Sequence, residues 1–158
     1  MKGFTGDYSG RADQKNRLLI PSRFKSVLEG EGEGRAIVKK DLYEKCLLLY
    51  PIGVWESKVE DLQSRIDPYN RQHTQFMREF IRTTQEVSMD GNGRILLPKK
   101  LLDMIGADKD FTLLGLQDHI EIWDTATYES SKLTEQQIFE LSDSLFGKDK
   151  KAREYGAE

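Results

Sequence analysis

The sequence has 158 residues, of which 32% are charged and 37% hydrophobic, and its formal net charge at pH 7 is -3. This length is enough to bury the core of one domain, and the recurring apolar blocks exclude a disordered acidic polymer. The single cysteine, Cys46, excludes an internal disulfide, and no apolar run is long enough for a membrane span or a signal peptide, so we expect a cytoplasmic protein.

Positive charge is concentrated near the N-terminus, despite the acidic average. Residues 1–26 hold six basic side chains and two acidic ones, whereas residues 124–158 hold five basic and eight acidic ones. A protein with a negative net charge can still attract a polyanion through a local basic surface. Composition therefore leaves nucleic acid open as a partner.

The first fifty residues are predicted to form four strands and one helix. In chain order these are a strand over 4–11, a turn over 13–16, a strand over 17–20, a helix over 22–30 and strands over 36–40 and 46–50. Pro21 favours the start of the helix, since proline suits the first turn, and Gly30 favours its end.

Two helices are predicted next. Apolar residues recur at steps of three and four over residues 54–66, and a second helical pattern covers residues 69–82. Asp67 and Pro68 are predicted to be the cap and the first-turn proline of this second helix.

The remaining chain repeats the first order of elements. It is predicted to contain a strand over 83–89, a turn over 90–93, a strand over 94–97, a helix over 99–106, strands over 111–116 and 120–123, and a final helix over 126–146. The polar residues after the final helix are expected to be disordered.

The chain is a tandem duplication. "DQKNRLLIP" at 13–21 returns as "DGNGRILLP" at 90–98 with an offset of 77, and residues 46–57 return as 119–130 with an offset of 73. The glycine-rich residues 29–34 are predicted to absorb the four-residue difference as a longer loop in the first copy. The predicted domains are 1–53 as the first copy, 54–82 as helices between the copies, 83–125 as the second copy, 126–146 as a C-terminal helix and 147–158 as a disordered tail.

One copy of about fifty residues would be marginally stable alone, because so little apolar surface is removed from water at that size. We therefore expect the two copies to bury their apolar faces against each other. Packing around a pseudo-two-fold axis would present residues 13–17 and 90–94 as a symmetric pair of loops, which suits a symmetric or repeating partner.

The loop residues divide into those that shape the turn and those that can bind. An aspartate at the start of a turn accepts hydrogen bonds from nearby backbone N–H groups, and asparagine and glycine tolerate positive φ. An arginine at the end of the turn can bind phosphate oxygens or guanine. The predicted DNA-binding residues are Lys15, Asn16, Arg17, Asn92, Gly93 and Arg94, and the predicted loop-shaping residues are Asp13, Asp90 and Gly91. For either loop alone, a plain hairpin turn with a solvated arginine is the alternative interpretation.

The paired loops and their flanks resemble the MraZ family of bacterial transcriptional regulators. The pattern Asp-x-x-x-Arg, followed by apolar residues and proline, occurs twice, with "FTG" at 4–6, "CLLLYP" at 46–51 and "IEIW" at 120–123. The resemblance covers residues 4 to about 145. It implies an α+β fold in which two tandem AbrB/MraZ-type repeats form a pseudo-two-fold swapped-hairpin β-barrel flanked by α-helices.

The resemblance also implies a function. It implies a nucleoid-associated protein that forms a ring of identical subunits and binds double-stranded DNA. The implied DNA sites are short G-rich direct repeats upstream of the protein's own gene, in the operon for cell division and cell-wall synthesis. The chain departs from the family pattern at Asn16, where glycine is usual, and at Asn92, where lysine is frequent. We therefore expect the first loop to supply more of the electrostatic attraction.

A scaffold or protein-interaction module without specific DNA binding remains an alternative. Such a protein would bind through an apolar face such as Ile138, Leu141 and Leu145. No enzyme is expected, because the sequence offers neither a nucleophile with a base nor a cofactor motif. No metal site is expected either, since His73, His119 and Cys46 lack the spacing of metal ligands.

Overall fold

The computed structural model describes residues 3–147 and has a mixed α+β fold, which confirms the predicted class. The strands are β1 Phe4–Arg11, β2 Arg17–Leu19, β3 Arg35–Lys40, β4 Leu47–Pro51, β5 Thr84–Ser88, β6 Arg94–Leu96, β7 Asp110–Gln117 and β8 Ile120–Asp124. The helices are α1 Ser22–Gly32, α2 Ile52–Ser64, α3 Arg71–Arg82, α4 Lys99–Ile105, α5 Thr125–Ser131 and α6 Glu135–Phe146. The chain divides into two compact units, one ending at Thr127 and the other beginning at Tyr128. None of the helices described is long and apolar enough to cross a membrane.

The strand order of the main sheet reflects the duplication. Strands β1 to β4 come from the first copy and β5 to β8 from the second, and exchanging the corresponding strands gives the same order read from the other edge. Its six strands run in the order β1-β7-β8-β4-β3-β5, and all neighbours are antiparallel. The first strand of each copy pairs with a strand of the other copy: β1 pairs with β7, and β5 pairs with β3. The two copies are therefore joined by hydrogen bonds that cross between them.

A second sheet, the ribbon of β2 and β6, has the same symmetry in its register. Leu18 lies opposite Ile95, and these two residues are related by the sequence offset of 77. Beyond the ribbon, Ile20 N–H donates to the carbonyl of Gly93 at 3.0 Å, and the equivalent Leu97 N–H donates to the carbonyl of Asn16 at 2.8 Å. A local two-fold axis therefore passes between the two strands, with one loop on each side of it.

The copies also share one hydrophobic core. Its buried residues come from both copies, and Leu18, Phe24, Ile95 and Phe111 are essentially inaccessible to solvent. The ring of Phe24, on α1, meets the rings of Phe4 and Tyr8 edge to face, with centroid distances of 5.5 and 5.0 Å. Neither copy buries its apolar face alone, as expected for segments of this size.

The predicted loop at 29–34 is wrong over most of its length, because α1 continues to Gly32 and residues 33 and 34 alone form a turn. This helix has 11 residues and its counterpart α4 has 7, so the four-residue difference is about one extra helical turn. Gly32 is buried, and a Cβ there would lie 3.1 Å from the backbone nitrogen of Ile52. The glycine allows close approach to the start of α2, and this packing outweighs the low helix propensity of glycine.

The predicted cap of α3 is also wrong. Asn70, not Asp67, caps this helix, and its side-chain oxygen accepts hydrogen bonds from Gln72 N at 2.9 Å and His73 N at 3.2 Å. Asp67 instead accepts a hydrogen bond from Tyr69 N at 2.9 Å, which forms a turn before the helix. The asparagine and the aspartate are both good caps, and sequence alone did not separate them.

The single helix predicted over 126–146 is two helices in the structure. α5 ends at Ser131 and α6 begins after Thr134, whose side chain accepts a hydrogen bond from Gln137 N at 3.1 Å. The Gln137 side chain accepts one in return from Thr134 N at 2.9 Å. This reciprocal capping box starts a new helix and interrupts the helical pattern. From residue 148 onward, the tail predicted over 147–158 lies outside the described residues.

Candidate nucleic-acid interface

The loops at residues 13–17 and 90–94, here the first loop and the second loop, have the same backbone hydrogen bonds. In the first, Asn16 N–H donates to the carbonyl of Asp13 at 3.0 Å, and in the second, Gly93 N–H donates to that of Asp90 at 3.0 Å. Each loop is closed by the aspartate N–H, which donates to the carbonyl of the arginine that begins β2 or β6. The duplicated sequence thus forms the same type of turn in both copies.

The two aspartates hold these turns together with their side chains. Asp13 Oδ1 accepts hydrogen bonds from Lys15 N and Arg17 N, both at 2.9 Å. Asp90 Oδ1 accepts the equivalent bonds from Asn92 N and Arg94 N, both at 2.9 Å. The arginine N–H bonds are the main cause that lowers the pKa of each carboxyl below its ordinary value of 3.8. Both carboxylates are therefore ionised at neutral pH.

One residue in each loop has a left-handed backbone. Asn16 has φ 62° and its counterpart Gly93 has φ 75°. Asparagine tolerates this region better than most residues, so the departure from glycine at position 16 leaves the turn intact. Gly91, by contrast, has no positive φ, and a Cβ there would meet no atom within 4 Å. The backbone therefore does not require glycine at position 91.

Each arginine forms an ion pair with the aspartate of its own loop. Arg17 Nε donates to Asp13 Oδ2 at 2.6 Å, and Arg94 Nε donates to Asp90 Oδ2 at 3.0 Å. Arg94 Nη1 also lies 3.9 Å from Asp13 Oδ2, which links the two loops. The arginine side chains are 36% and 29% exposed. The arginines thus brace the loops and remain partly accessible, but their charges are matched by carboxylates.

Two lysines outside the predicted set lie against the loops. A Cβ placed on Gly93 would meet Lys25 Cδ at 3.3 Å and Nζ at 3.4 Å, so this α1 side chain covers the second loop. Lys109 Nζ donates to Asn16 Oδ1 in the first loop at 2.7 Å. The sequence shows Lys25 only as part of the basic N-terminal block. Its place on the second loop depends on how the two copies pack.

The surroundings of the two loops differ. Beside the first loop is a polar groove, lined by Gln14, Asn16, Lys99, Asp103, Asp108 and Lys109 among others. Lys15 is exposed on the first loop itself, and the second loop has Asn92, also exposed, as its corresponding polar side chain. The turn is repeated, but the charges around it are not.

The outer face of the β2–β6 ribbon combines apolar and cationic side chains. Leu19 and Leu96 are 59% and 57% exposed, and they are equivalent positions in the two copies. Across the ribbon Leu19 pairs with Arg94, and Leu96 pairs with Arg17. This face therefore presents the same pair of side chains twice around the local axis.

The two histidines make hydrogen bonds or close polar contacts within the fold, and the cysteine is buried. His73 Nδ1 accepts a hydrogen bond from Asp67 N at 2.9 Å, and His119 Nδ1 lies 2.6 Å from Asp118 Oδ1. Cys46 is buried, and burial raises the pKa of its thiol. In residues 3–147, no three or more histidine, cysteine or acidic side chains form a group that could hold a metal ion.

Comparison with known proteins identifies the family. Residues 80–149 match the family model described as "MraZ protein, putative antitoxin-like". Proteins named transcriptional regulator MraZ are 38% identical in Bacteroides fragilis over 76% of this chain and 76% of the relative, and 38% identical in Bacteroides thetaiotaomicron over 76% and 77%. The protein of the same name in Shewanella oneidensis is 33% identical, over 92% of this chain and 91% of the relative. These relatives are named as regulators, not as enzymes. The chain belongs to the MraZ family.

Proposed function

We propose that this protein is a sequence-specific DNA-binding regulator of transcription. The observation that carries the proposal is the pair of equivalent loops on either side of a two-fold ribbon, each with an arginine at its end. The names of the relatives support the same function. A two-fold pair of arginine-bearing loops suits duplex DNA, whose backbone offers phosphates at regular spacing.

The residues proposed to bind DNA are Lys15, Asn16, Arg17, Asn92, Gly93 and Arg94. Because the Nε of each arginine is held by an aspartate, the terminal guanidinium nitrogens are the groups proposed to contact phosphate or the O6 and N7 of guanine. Asn16 and Asn92 are proposed to contribute amide groups, and Gly93 its backbone. Lys15 is exposed and adds an ammonium group beside the first loop.

The proposed architecture is the swapped-hairpin β-barrel of two tandem repeats. Residues 1–53 and 83–125 are the proposed repeats, joined by residues 54–82 and followed by the C-terminal segment 126–146. The exchange of outer strands between the copies supports this description, since β1 pairs with β7 and β5 with β3.

A ring of identical subunits is proposed as the active form. The chain has a net charge of -3, so a single pair of loops offers little attraction for DNA. Many loops on one ring would act together through effective concentration, with direct repeats giving each subunit its own site. The proposed sites lie upstream of the protein's own division and cell-wall operon, which would make it a cytoplasmic, nucleoid-associated protein. Exposed apolar residues of α6, including Ile138, Leu141 and Leu145, are available for contacts between subunits.

The test is a gel shift of the full chain against the DNA upstream of its own gene, with the repeats intact or scrambled. The intact repeats should bind more tightly. Affinity should fall steeply with salt, by about 0.9 in the log-log slope for each phosphate contact. Equal binding to both DNAs would contradict sequence specificity.

A matched pair of variants tests the arginine role. Arg17→Ala should weaken binding and reduce the salt slope. Arg65→Ala is the control, because Arg65 forms an exposed ion pair with Asp61 that has the same spacing in the chain as Asp13 and Arg17. Equal affinities and slopes for the two variants would refute the assignment.

The alternative is an oligomeric scaffold that uses the exposed apolar residues of α6 without binding DNA. Light scattering after gel filtration reports whether the ring forms, and the gel shift then separates the two functions. A ring that forms normally and fails to shift any DNA would favour the scaffold.

A further inference from the structure

The charges of the loop motif cancel within the loops. Arg17 and Arg94 each lie within 3.0 Å of a carboxylate oxygen, and both carboxylates have a pKa held below 3.8. Two aspartates and two arginines therefore sum to no net charge at neutral pH. Attraction of a polyanion to this surface requires further cations, since the nonspecific part of DNA binding is electrostatic.

Lys25 provides one such cation to the second loop. It lies on α1, in the first copy, and its Cδ, Cε and Nζ atoms all lie within 3.4 Å of the position of a Cβ on Gly93. Gly93 is buried, while Lys25 is half-buried, so the lysine stem covers the glycine and its ammonium lies beside the loop. The stem packs against the protein and the charged end remains near the surface, as is usual for lysine.

Lys109 has the corresponding relation to the first loop. It lies between α4 and β7, in the second copy, and its ammonium donates to Asn16 Oδ1 at 2.7 Å. Asn16 and Gly93 are equivalent residues, so each lysine contacts the left-handed position of the other copy's loop. Asp103 and Asp108 line the groove beside Lys109 and reduce the local positive potential there.

We propose that Lys25 and Lys109 are phosphate-contacting residues, each supplied by one copy to the loop of the other. This inference rests on the proposed DNA-binding function and adds two residues to its site. Lys25 compensates for the lysine that the second loop lacks at Asn92. Each loop is complete as a cationic site only when the two copies are packed together.

The experiment uses Lys25→Gln, Lys109→Gln and the double variant in full-length protein. Fluorescence anisotropy with labelled upstream DNA gives affinity as a function of salt. Each lost phosphate contact should lower the log-log salt slope by about 0.9, which at 0.15 M salt corresponds to about fivefold weaker binding. Lys25→Arg keeps the charge and should bind like the wild type. Lys45→Gln is the matched control, because Lys45 is exposed in the connection between β3 and β4.

Thermal unfolding confirms that each variant is folded. Four outcomes of the binding experiment then distinguish the possibilities. Loss of affinity and slope in Lys25→Gln and Lys109→Gln, with recovery in Lys25→Arg, supports the proposal. Equal losses in Lys45→Gln would show a general charge effect and overturn it. Wild-type binding that neither glutamine variant weakens would overturn the lysine assignment alone. Failure of the wild type to bind any DNA would refute the proposed function itself.

Discussion

Replacing Gly93 with alanine tests whether the backbone of the second loop requires glycine. Gly93 has φ 75°, a region in which a residue with a Cβ is strained by about 1–2 kcal/mol. The added Cβ would lie 3.3 Å from Lys25 Cδ, a tight contact that the flexible lysine can relieve by moving. We therefore expect Gly93→Ala to lower the free energy of unfolding by about 1–2 kcal/mol.

The first loop supplies the control for this substitution. Asn16 occupies the equivalent position at φ 62°, so Gly93→Asn places in the second loop a residue that the first already accepts. Because asparagine tolerates positive φ, Gly93→Asn should cost less than about 1 kcal/mol. Both variants displace Lys25, so the difference between them isolates the backbone effect.

Urea denaturation of the two variants measures this difference. A loss of 1–2 kcal/mol should also lower the melting temperature by about 2–8 °C in a chain of this size. If Gly93→Ala is as stable as the wild type, or if Gly93→Asn is as destabilised as the alanine variant, the positive φ does not determine the residue at this position.

The buried core, the buried cysteine and the loop carboxylates can each be tested by substitution or chemical modification. Leu18→Ala and Ile95→Ala should each lower the free energy of unfolding, measured by urea denaturation, by about 2–5 kcal/mol. The double variant should lose less than the sum of the two single losses, because the two buried side chains face each other. Strict additivity would contradict this pairing. Cys46 should react slowly with a thiol reagent in native protein and rapidly in denaturant, because it is buried and the pKa of its thiol is raised. A fast reaction of the thiol in native protein would contradict its burial. Asp13 and Asp90 have folded pKa values below 3.8, so their contribution to stability is present above about pH 3.8 and is lost as the pH falls through the folded pKa. In urea denaturation at a series of pH values, the variant with both aspartates changed to asparagine should therefore lose less stability over that acid range than the wild type.

Most secondary structure could be predicted from the sequence because local signals agree with the fold. The strand predicted over 4–11 is β1, Phe4–Arg11, and the turn chemistry of both loops matches their hydrogen bonds. The predictions that failed depended on tertiary contacts or on competing caps. The last turn of α1 contains glycines that the sequence marks as a loop, and the close packing of Gly32 on Ile52 overrides that signal.

The candidate site was predictable only in part, for a similar reason. Duplication identified both loops, but it did not show that Asp13 and Asp90 hold the arginines by their Nε atoms. Lys25 and Lys109 lie 68 and 93 residues along the chain from the loop residues that they contact. No local pattern connects such positions, because their proximity results from packing one copy on the other.

The contrast between repeated and unrepeated residues separates folding from binding in these loops. Aspartate and arginine recur in both copies, and in both they make the same backbone bonds and the same ion pair. The motif therefore shapes both turns through the arginine Nε atoms, while the terminal guanidinium nitrogens are the groups proposed to contact DNA. Lys15, Lys25 and Lys109 do not recur at equivalent positions, yet they place cations at both loops. Substitutions at the motif should therefore disturb stability and binding together, whereas substitutions at the lysines should change the salt dependence of binding with little effect on folding.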